Sequence, residues 1–282
     1  MPAVPANIRL QLRRFIDVRF MLHGSGPPVL FLHGIPTGPR LWDHVVRILS
    51  PNFTCIVADL TEMAEPVADA YAVELETLRA ELRYSSWAVV GHDAGCVLGV
   101  HYAARFPAQV SALVLCSAPL FPDHQVPWFF QLVRTPAIGQ VFARPVLQAA
   151  WIVLRRSLGR FDTRNEEIVE SFERQFHGRE GARRFGRLLR WGNPHDVLGT
   201  TASLLPQITS ATLLMHGIGD RAIPPTFAER AASAIPKATY RFLECDHFVP
   251  LECPNSLSEA VLTFLAQTVT CDGRTPIKPM LP

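Results

Sequence analysis

The feature that most constrains this chain is the pentapeptide Gly-His-Asp-Ala-Gly at residues 91–95. It follows a short apolar run at residues 87–90, which is typical of a buried parallel strand. Small and apolar residues then continue to residue 104 in a pattern that predicts a helix, with Pro107 as a stop signal. A strand, a tight glycine-containing turn and a helix predict an α/β fold with Asp93 in the position of a catalytic nucleophile.

The residue type at this turn predicts the chemistry, since the turn more often carries a serine. A serine that displaced a group from saturated carbon would end as an ether, which water does not readily cleave. An aspartate ends as an ester, which water hydrolyses. Asp93 therefore indicates attack on an electrophilic alkyl carbon.

Two further catalytic residues are expected downstream, because a triad on such a turn runs along the chain as nucleophile, acid and histidine. Residues 211–216 predict a strand, and Asp220 follows it as the candidate acid. Residues 240–243 predict another strand, and His247 lies in the next loop as the candidate base. An ordinary turn aspartate and a surface histidine are the alternatives for each residue taken singly, but their order favours catalysis.

An upstream loop supplies candidates for an oxyanion hole. The apolar run at residues 29–32 leads into a His-Gly-Ile-Pro loop at residues 33–36. In this type of site the hole is formed by the backbone N–H after the nucleophile and by one from such a loop. We expect those donors to be Ala94 and Ile35, and we expect His33 to be structural.

The length of the chain limits its domain organisation. With 282 residues, of which 48% are hydrophobic, it can form one large α/β core and an inserted group of helices. Predicted strands alternate with helices, which favours a mostly parallel sheet flanked by helices. Helical patterning dominates from residue 119 to residue 205. The sequence therefore predicts a core formed by residues 1–118 and 206–282 and a helical cap at residues 119–205.

Taken together, these segments resemble the α/β-hydrolase fold, and within it the branch of haloalkane dehalogenases, fluoroacetate dehalogenases and epoxide hydrolases. The resemblance covers most of the chain and is carried by the segments GSGPPVLFLHGIPTGPRLW, GHDAG, HGIGDRAIP and ECDHFVPLECP. The spacing HGxPTxxxxW, which ends at Trp42, looks most like a haloalkane dehalogenase. The resemblance implies an inserted cap and hydrolysis through an ester on the aspartate.

The chain departs from this branch in the groups that stabilise the leaving group. Haloalkane dehalogenases commonly place a tryptophan at the position of Ala94 and, in one subgroup, an asparagine at the position of Ile35. Epoxide hydrolases usually protonate the opening oxygen with two cap tyrosines, whereas the four tyrosines here lie outside the predicted cap. Either activity therefore requires a substitute donor.

Substitute donors are sought in the predicted cap, because imidazole and indole N–H groups donate to a developing halide or alkoxide. The candidates are His124, Trp128, Trp151, His177, Trp191 and His195. Packing is the alternative for each tryptophan, and solvent exposure for each histidine. The cap arginines are expected to pair with glutamates on a solvated face, the alternative being a clamp on a substrate carboxylate, for which Arg134 or Arg144 qualifies.

The remaining composition argues against several classes of function. A net charge of +2 gives no strong electrostatic footprint for nucleic acid, so no such partner is expected. No apolar run has the length of a membrane span and no signal-peptide pattern begins the chain, so cytoplasmic residence is expected. The six cysteines lack metal-ligand spacing and predict reduced core thiols, with neither metal nor cofactor. The oligomeric state is left open.

The leading hypothesis is a small-molecule hydrolase that uses Asp93 to attack saturated carbon. A carbon–halogen bond is slightly favoured over an epoxide or a β-lactone, because of the HGxPT spacing and the cap tryptophans. A non-hydrolytic cyclase or a ligand-binding member of the fold is the alternative from another class, motivated by the missing donors. The ordered triad argues against a pure binding module.

Overall fold

The structure, a computed structural model, describes residues 18–61, 68–135, 138–158, 165–190 and 192–269. These residues form one seven-stranded sheet and eleven α-helices. The strands are β1 (Arg19–His23), β2 (Pro28–Leu32), β3 (Thr54–Asp59), β4 (Trp87–His92), β5 (Val110–Cys116), β6 (Ala211–Gly217) and β7 (Ala238–Leu243). The helices are α1 (Asp43–Leu49), α2 (Ala68–Glu81), α3 (Ala94–Arg105), α4 (Trp128–Arg134), α5 (Gly139–Leu158), α6 (Glu166–Gln175), α7 (Gly178–Leu188), α8 (Pro194–Leu204), α9 (Thr226–Ala234), α10 (Val249–Glu252) and α11 (Pro254–Val269).

The strands lie side by side in the order β1-β3-β2-β4-β5-β6-β7. Strand β1 pairs antiparallel with β3, and the other neighbours are parallel. Strand β4 is central, with Val90 opposite Phe31 of β2 and Val114 of β5. The predicted mostly parallel α/β sheet is confirmed, and the turn after β4 opens at the middle of its carboxyl edge.

Helices cover both faces of the sheet. Helix α2 packs against α3, α1 packs against α11, and β4 is buried along its whole length. Strands that are buried on both faces are continuous apolar runs, which explains why residues 29–32 and 87–90 show no alternation. Helix α3 also contacts β2, β4 and β5. The turn that carries Asp93 is therefore anchored in the centre of the core.

Helices α4 to α8 are inserted between β5 and β6, and we call them the cap helices. The described part of residues 119–205 contains helices and no strand, as the patterning predicts. Buried side chains of these helices, including Val133, Leu147 and Phe172, join the same apolar cluster as the sheet. The predicted boundaries enclose all five helices, and the division into core and cap stays a prediction. Among the described helices, none combines the length and hydrophobicity of a membrane span.

The cysteines within the described ranges are free thiols. Cys55, Cys96, Cys116 and Cys245 are buried, as expected for core residues, whereas Cys253 is only half-buried. Burial raises the pKa of Cys55 to about 12, so this thiol stays protonated and inert. Cys271, which belongs to the same prediction, lies outside the described residues.

Candidate active site

Asp93 lies in a tight turn between β4 and α3. Its backbone has φ +51° and ψ −121°, a conformation that residues other than glycine rarely adopt. The backbones approach closely here, because a side chain at Gly95 would overlap the carbonyl oxygen of Leu32. The Asp93 N–H donates to the carbonyl of Cys116 at 3.1 Å. The surrounding core thus maintains a strained turn that holds the aspartate at the carboxyl edge of the sheet.

His247 lies between two carboxylates. Its Nδ1 is 2.9 Å from Asp220 Oδ2, and its Nε2 is 3.8 Å from Asp93 Oδ2. Asp220 follows β6 and His247 follows β7, so both loops begin at the edge where Asp93 lies. The structure brings together the three residues that the sequence order selected. The longer distance exceeds a hydrogen bond, so Nε2 is not engaged tightly by Asp93.

Asp220 is held by donors on both carboxylate oxygens. Its Oδ1 accepts the N–H groups of Ala222 and Ile223, each at 2.9 Å. Its Oδ2 lies 2.9 Å from His247 Nδ1 and 3.3 Å from His216 Nε2. Burial alone would raise the pKa of Asp220, but the charge on His247 and these hydrogen bonds outweigh it and keep the pKa well below the usual range. Asp220 is therefore a permanent negative charge behind His247.

The protonation of His247 reflects this environment. Burial alone would lower the pKa of His247. The charge and hydrogen bond of Asp220, together with the charge of Asp93, outweigh burial and raise the pKa above its ordinary value of 6.5. The arrangement stabilises an imidazolium between two carboxylates, which is what a base must become after it accepts a proton.

His92, for which the sequence indicates no role, packs against the loop that carries His247. It is 1% exposed, and its Nε2 lies 3.0 Å from the carbonyl oxygen of His247. Burial, with the charge of His247, lowers the pKa of His92 to about 3, so the ring is neutral and Nε2–H donates. The only signal in the sequence was a histidine at the end of an otherwise apolar strand, directly before Asp93.

The loop after β2 contacts the aspartate from the other side. The Ile35 N–H donates to Asp93 Oδ1 at 3.2 Å. A side chain at Gly34 would stand 2.6 Å from Asp93 Cβ, so glycine permits this approach. His33 is buried, and its ring lies 2.9 Å from both the Gly34 carbonyl and the Leu60 N–H. His33 thus anchors the loop through its ring.

A cavity of about 720 Å³ lies between the strand ends and the cap helices. Its core side includes Ile35, Asp93, Ala94 and His247. Its cap side includes His124, Val126, Phe129, Phe130, Arg134, Val153 and Leu189. Ala94 is the first residue of α3, and the first N–H groups of a helix have no partner within it. The carboxylate and the residues of both predicted oxyanion donors therefore line the same cavity.

Comparison with known proteins identifies the family. Residues 27–254 match the family described as the alpha/beta hydrolase fold. This match covers far more than half of the 282 residues. The chain belongs to the α/β-hydrolase fold family.

Relatives within this family place the resemblance more narrowly. The chain is 23% identical over 279 residues to a cis-3-alkyl-4-alkyloxetan-2-one decarboxylase of Shewanella oneidensis, covering 90% of this chain and 86% of the relative. It is 26% identical over 275 residues to a haloalkane dehalogenase of Mesorhizobium japonicum, covering 87% and 86%. A candidate epoxide hydrolase of Pseudomonas aeruginosa has a similar fold, with a TM-score of 0.78 at 22% identity over 96% and 99% of the chains. The predicted resemblance and the prediction of a hydrolase are confirmed.

Two of the three tryptophan candidates of this α/β-hydrolase lie away from the cavity. Trp128 is 73% exposed, and Trp151 is buried against Phe172 and Phe176 within the cap helices. Neither lines the cavity. Helical geometry explains the difference, because adjacent residues point about 100° apart and only one helix face meets the cavity. Trp191 lies outside the described residues.

The histidine candidates differ in whether they line the cavity. His124 lines the cavity and is half-buried, with its ring edge-on to Phe227. Burial is the main cause that lowers the pKa of His124, so its ring is neutral near pH 7 and keeps one N–H donor. His177 and His195 are exposed and do not line the cavity. Of the six cap candidates, the described residues support His124.

Arginines also line the cavity of this α/β-hydrolase. They are Arg134 of α4, Arg156 of α5 and Arg221 in the loop after β6. Arg144 is exposed and does not line it. Arg155, in contrast, pairs with Glu166 and Glu173, as expected for a solvated face. The cavity therefore combines apolar walls with cationic groups. The sequence alone did not distinguish these arginines from arginines on the surface.

Proposed function

We propose that this α/β-hydrolase cleaves a carbon–heteroatom bond at a saturated carbon through an ester on Asp93. The observation that carries the proposal is a carboxylate at the nucleophile position, with His247 Nε2 3.8 Å from it and Asp220 behind His247. A carboxylate can displace a leaving group from alkyl carbon without a base. Water can then hydrolyse the resulting ester if a base activates it.

In the first step, an oxygen of Asp93 attacks the electrophilic carbon, and the bond to the leaving group breaks. The Asp93 carboxylate becomes a neutral ester, so one negative charge beside His247 disappears. That charge is one of the causes that raise the pKa of His247. Ester formation therefore lowers the pKa of His247 and favours the neutral imidazole that the second step needs.

In the second step, His247 accepts a proton from water, and the hydroxide attacks the carbonyl carbon of the Asp93 ester. Asp220 holds the ring orientation and stabilises the imidazolium that forms. The Ile35 N–H already contacts Asp93 Oδ1, and with the Ala94 N–H it would stabilise the oxyanion. The C–O bond of the tetrahedral intermediate then breaks as His247 returns its proton to the departing oxygen, which releases the alcohol. Asp93 keeps one oxygen from water and loses that oxygen's proton to solvent to become a carboxylate again.

The residues on the cap side of the cavity indicate which leaving group the site can stabilise. Preference for a carbon–halogen bond depended partly on cap tryptophans, and Trp128 and Trp151 lie away from the cavity. His124 and Arg134 line the cavity and offer N–H groups to an oxygen anion. These donors suit a strained C–O ring, an epoxide or a β-lactone, whose opening leaves an alkoxide or a carboxylate. With both tryptophans away from the cavity, we place this class of substrate first.

A carbon–halogen bond is the second candidate. It is supported by the HGIPT loop and by the likeness to a haloalkane dehalogenase. The relative named as an oxetan-2-one decarboxylase supports the β-lactone in the same way. The mass of a trapped ester separates these candidates, because a ring-opened substrate adds its whole mass whereas a haloalkane adds its mass less one molecule of hydrogen halide.

The test is the intact mass of a His247→Gln variant after incubation with haloalkanes, haloacetates, epoxides and β-lactones. Glutamine cannot act as the base, so we expect a stable adduct on the Asp93 peptide. An Asp93→Ala variant should show none. Wild-type enzyme turning over in H₂¹⁸O should incorporate ¹⁸O into Asp93. A folded His247→Gln variant without any adduct, or turnover without ¹⁸O in Asp93, would contradict hydrolysis through the ester and favour a cyclase.

A further inference from the structure

A buried carboxylate lies beneath the histidine loop, and neither proposed step uses it. Glu252, the last residue of α10, is 4% exposed. Its Oε2 accepts the Asp246 N–H at 2.6 Å, and its Oε1 accepts the Phe248 N–H at 3.0 Å. These two residues flank His247. One side chain therefore holds the backbone on both sides of the base.

A third donor reaches this carboxylate from the cap helices. Ser157 of α5 is buried, and its hydroxyl donates to Glu252 Oε1 at 2.5 Å. Asn165 provides a second link, since its Nδ2 donates to the Leu251 carbonyl at 3.2 Å and its Oδ1 lies 2.7 Å from His44 Nε2. Helix α10 is thus tied to two buried cap residues. Ser157 also lines the cavity, so this connection reaches the place where a substrate would bind.

We propose that Glu252 is a positioning residue for His247 and that Ser157 makes this positioning depend on the cap helices. The three donors fix the carboxylate, because moving it would leave buried N–H and O–H groups without acceptors. The fixed carboxylate in turn restricts the backbone of His247 relative to Asp220. The proposal rests on the function proposed above, because the loop position matters to catalysis only if His247 acts as the base.

The two chemical steps depend differently on this positioning. Attack by Asp93 requires no base, whereas hydrolysis of the ester requires Nε2 aligned with the attacking water. Misplacing a catalytic group by about 1 Å costs on the order of a hundredfold in rate. Loss of the Glu252 contacts should therefore slow ester hydrolysis and spare ester formation. A general loss of folding would reduce both steps together.

The experiment is rapid-quench kinetics of a Glu252→Gln variant with the substrate that labels Asp93. Glutamine keeps the size of the side chain, but its amide nitrogen cannot accept a hydrogen bond from a backbone N–H. We expect ester hydrolysis to slow by about tenfold to a hundredfold, ester formation to change less than about threefold, and the ester to accumulate. In Ser157→Ala, one of three donors is lost, and hydrolysis should slow roughly fivefold.

The matched control is Glu76→Gln. Glu76 of α2 also accepts hydrogen bonds, from Arg79 and Tyr102, but it does not line the cavity. In Glu76→Gln, the rates of ester formation and ester hydrolysis should both stay within about twofold of wild type, as for a substitution remote from the site. Ser157→Ala carries the test if Glu252→Gln does not fold.

The positioning role of Glu252 would be overturned by equal slowing of both steps, or by unchanged hydrolysis, in Glu252→Gln. Unchanged hydrolysis in Ser157→Ala would overturn its dependence on the cap helices. Failure of the underlying function has a different signature, because His247→Gln would then trap no ester. A trapped ester in His247→Gln, together with wild-type kinetics in Ser157→Ala and Glu252→Gln, would remove the positioning role and keep the function.

Discussion

The two walls of the cavity differ in how the chain constructs them. The core wall carries Ile35, Asp93 and His247, which lie in loops directly after β2, β4 and β7. The cap wall carries His124 and Phe129, which lie before and within α4. Strand ends have fixed places along the edge of a parallel sheet, whereas the side chains of a helix reach a cavity only through one face. The sequence therefore specifies the core wall more directly than the cap wall.

Two neighbouring residues illustrate the difference. Trp128 is 73% exposed, while Phe129 lines the cavity. Both are aromatic and both stand at the start of α4, so residue type does not distinguish them. We infer that the core wall determines the reaction and the cap wall selects the substrate. Variants on each wall should separate these two roles.

The largest effect is expected from Asp220→Asn on the core wall. The amide cannot hold the imidazole in the tautomer that accepts a proton at Nε2, so ester hydrolysis should slow by about a thousandfold or more. Ester formation should be little changed, which burst kinetics would detect as a full first turnover. Asp196→Asn, at an exposed position, is the control and should behave as wild type. A loss of the burst itself would contradict the assigned role.

The pH dependence of ester hydrolysis tests the role of His247 on the same wall. Ester hydrolysis should fall by about tenfold per pH unit below the pKa of His247, because only the neutral imidazole accepts a proton. In the free enzyme, Asp220 and Asp93 overcome the effect of burial and hold this pKa above 6.5. In the ester, the charge of Asp93 is gone, so the midpoint for hydrolysis should lie below the pKa that NMR measures in the free enzyme. Coinciding values would contradict the loss of that charge.

A smaller effect is expected on the cap wall. His124→Phe keeps a ring but removes the N–H, so ester formation with an epoxide or a β-lactone should slow by about tenfold to a hundredfold. His124→Gln, which retains an N–H donor, should recover part of the rate. Ester hydrolysis should be unchanged in both variants, as single-turnover measurements would show. Equal rates of ester formation in His124→Phe and wild type would show that another donor stabilises the leaving group.

Trp128→Phe is the control for the cap wall and should give the smallest effect. Its exposed side chain does not line the cavity, so both steps should stay within about twofold of wild type. A large loss of ester formation would show that α4 takes another position when substrate binds. The comparison with His124→Phe thus tests the assignment of the cap wall itself.

The fold and the core wall follow from local signals in the sequence. The apolar run at residues 87–90, the glycines around Asp93 and the polar residues after two later runs each mark the end of a parallel strand. Strand ends converge at one edge, so order along the chain was enough to assemble Asp93, Asp220 and His247. Glu252 gave no such signal and His92 gave only its place at the end of β4, because their contacts are with backbone groups that approach only in the folded chain.

The sequence by itself therefore determined the family, the sheet and the order of the predicted catalytic residues, since these follow from short segments and their order. Only the tertiary structure decided which cap residues line the cavity and which buried groups contact the loop of His247. The physical reason is that packing sets the rotation of a whole helix about its axis. The placement of Trp128, Trp151 and Ser157 therefore follows from contacts with distant elements. The position of a strand end can be predicted from the local sequence, whereas the orientation of a helix face is set by packing.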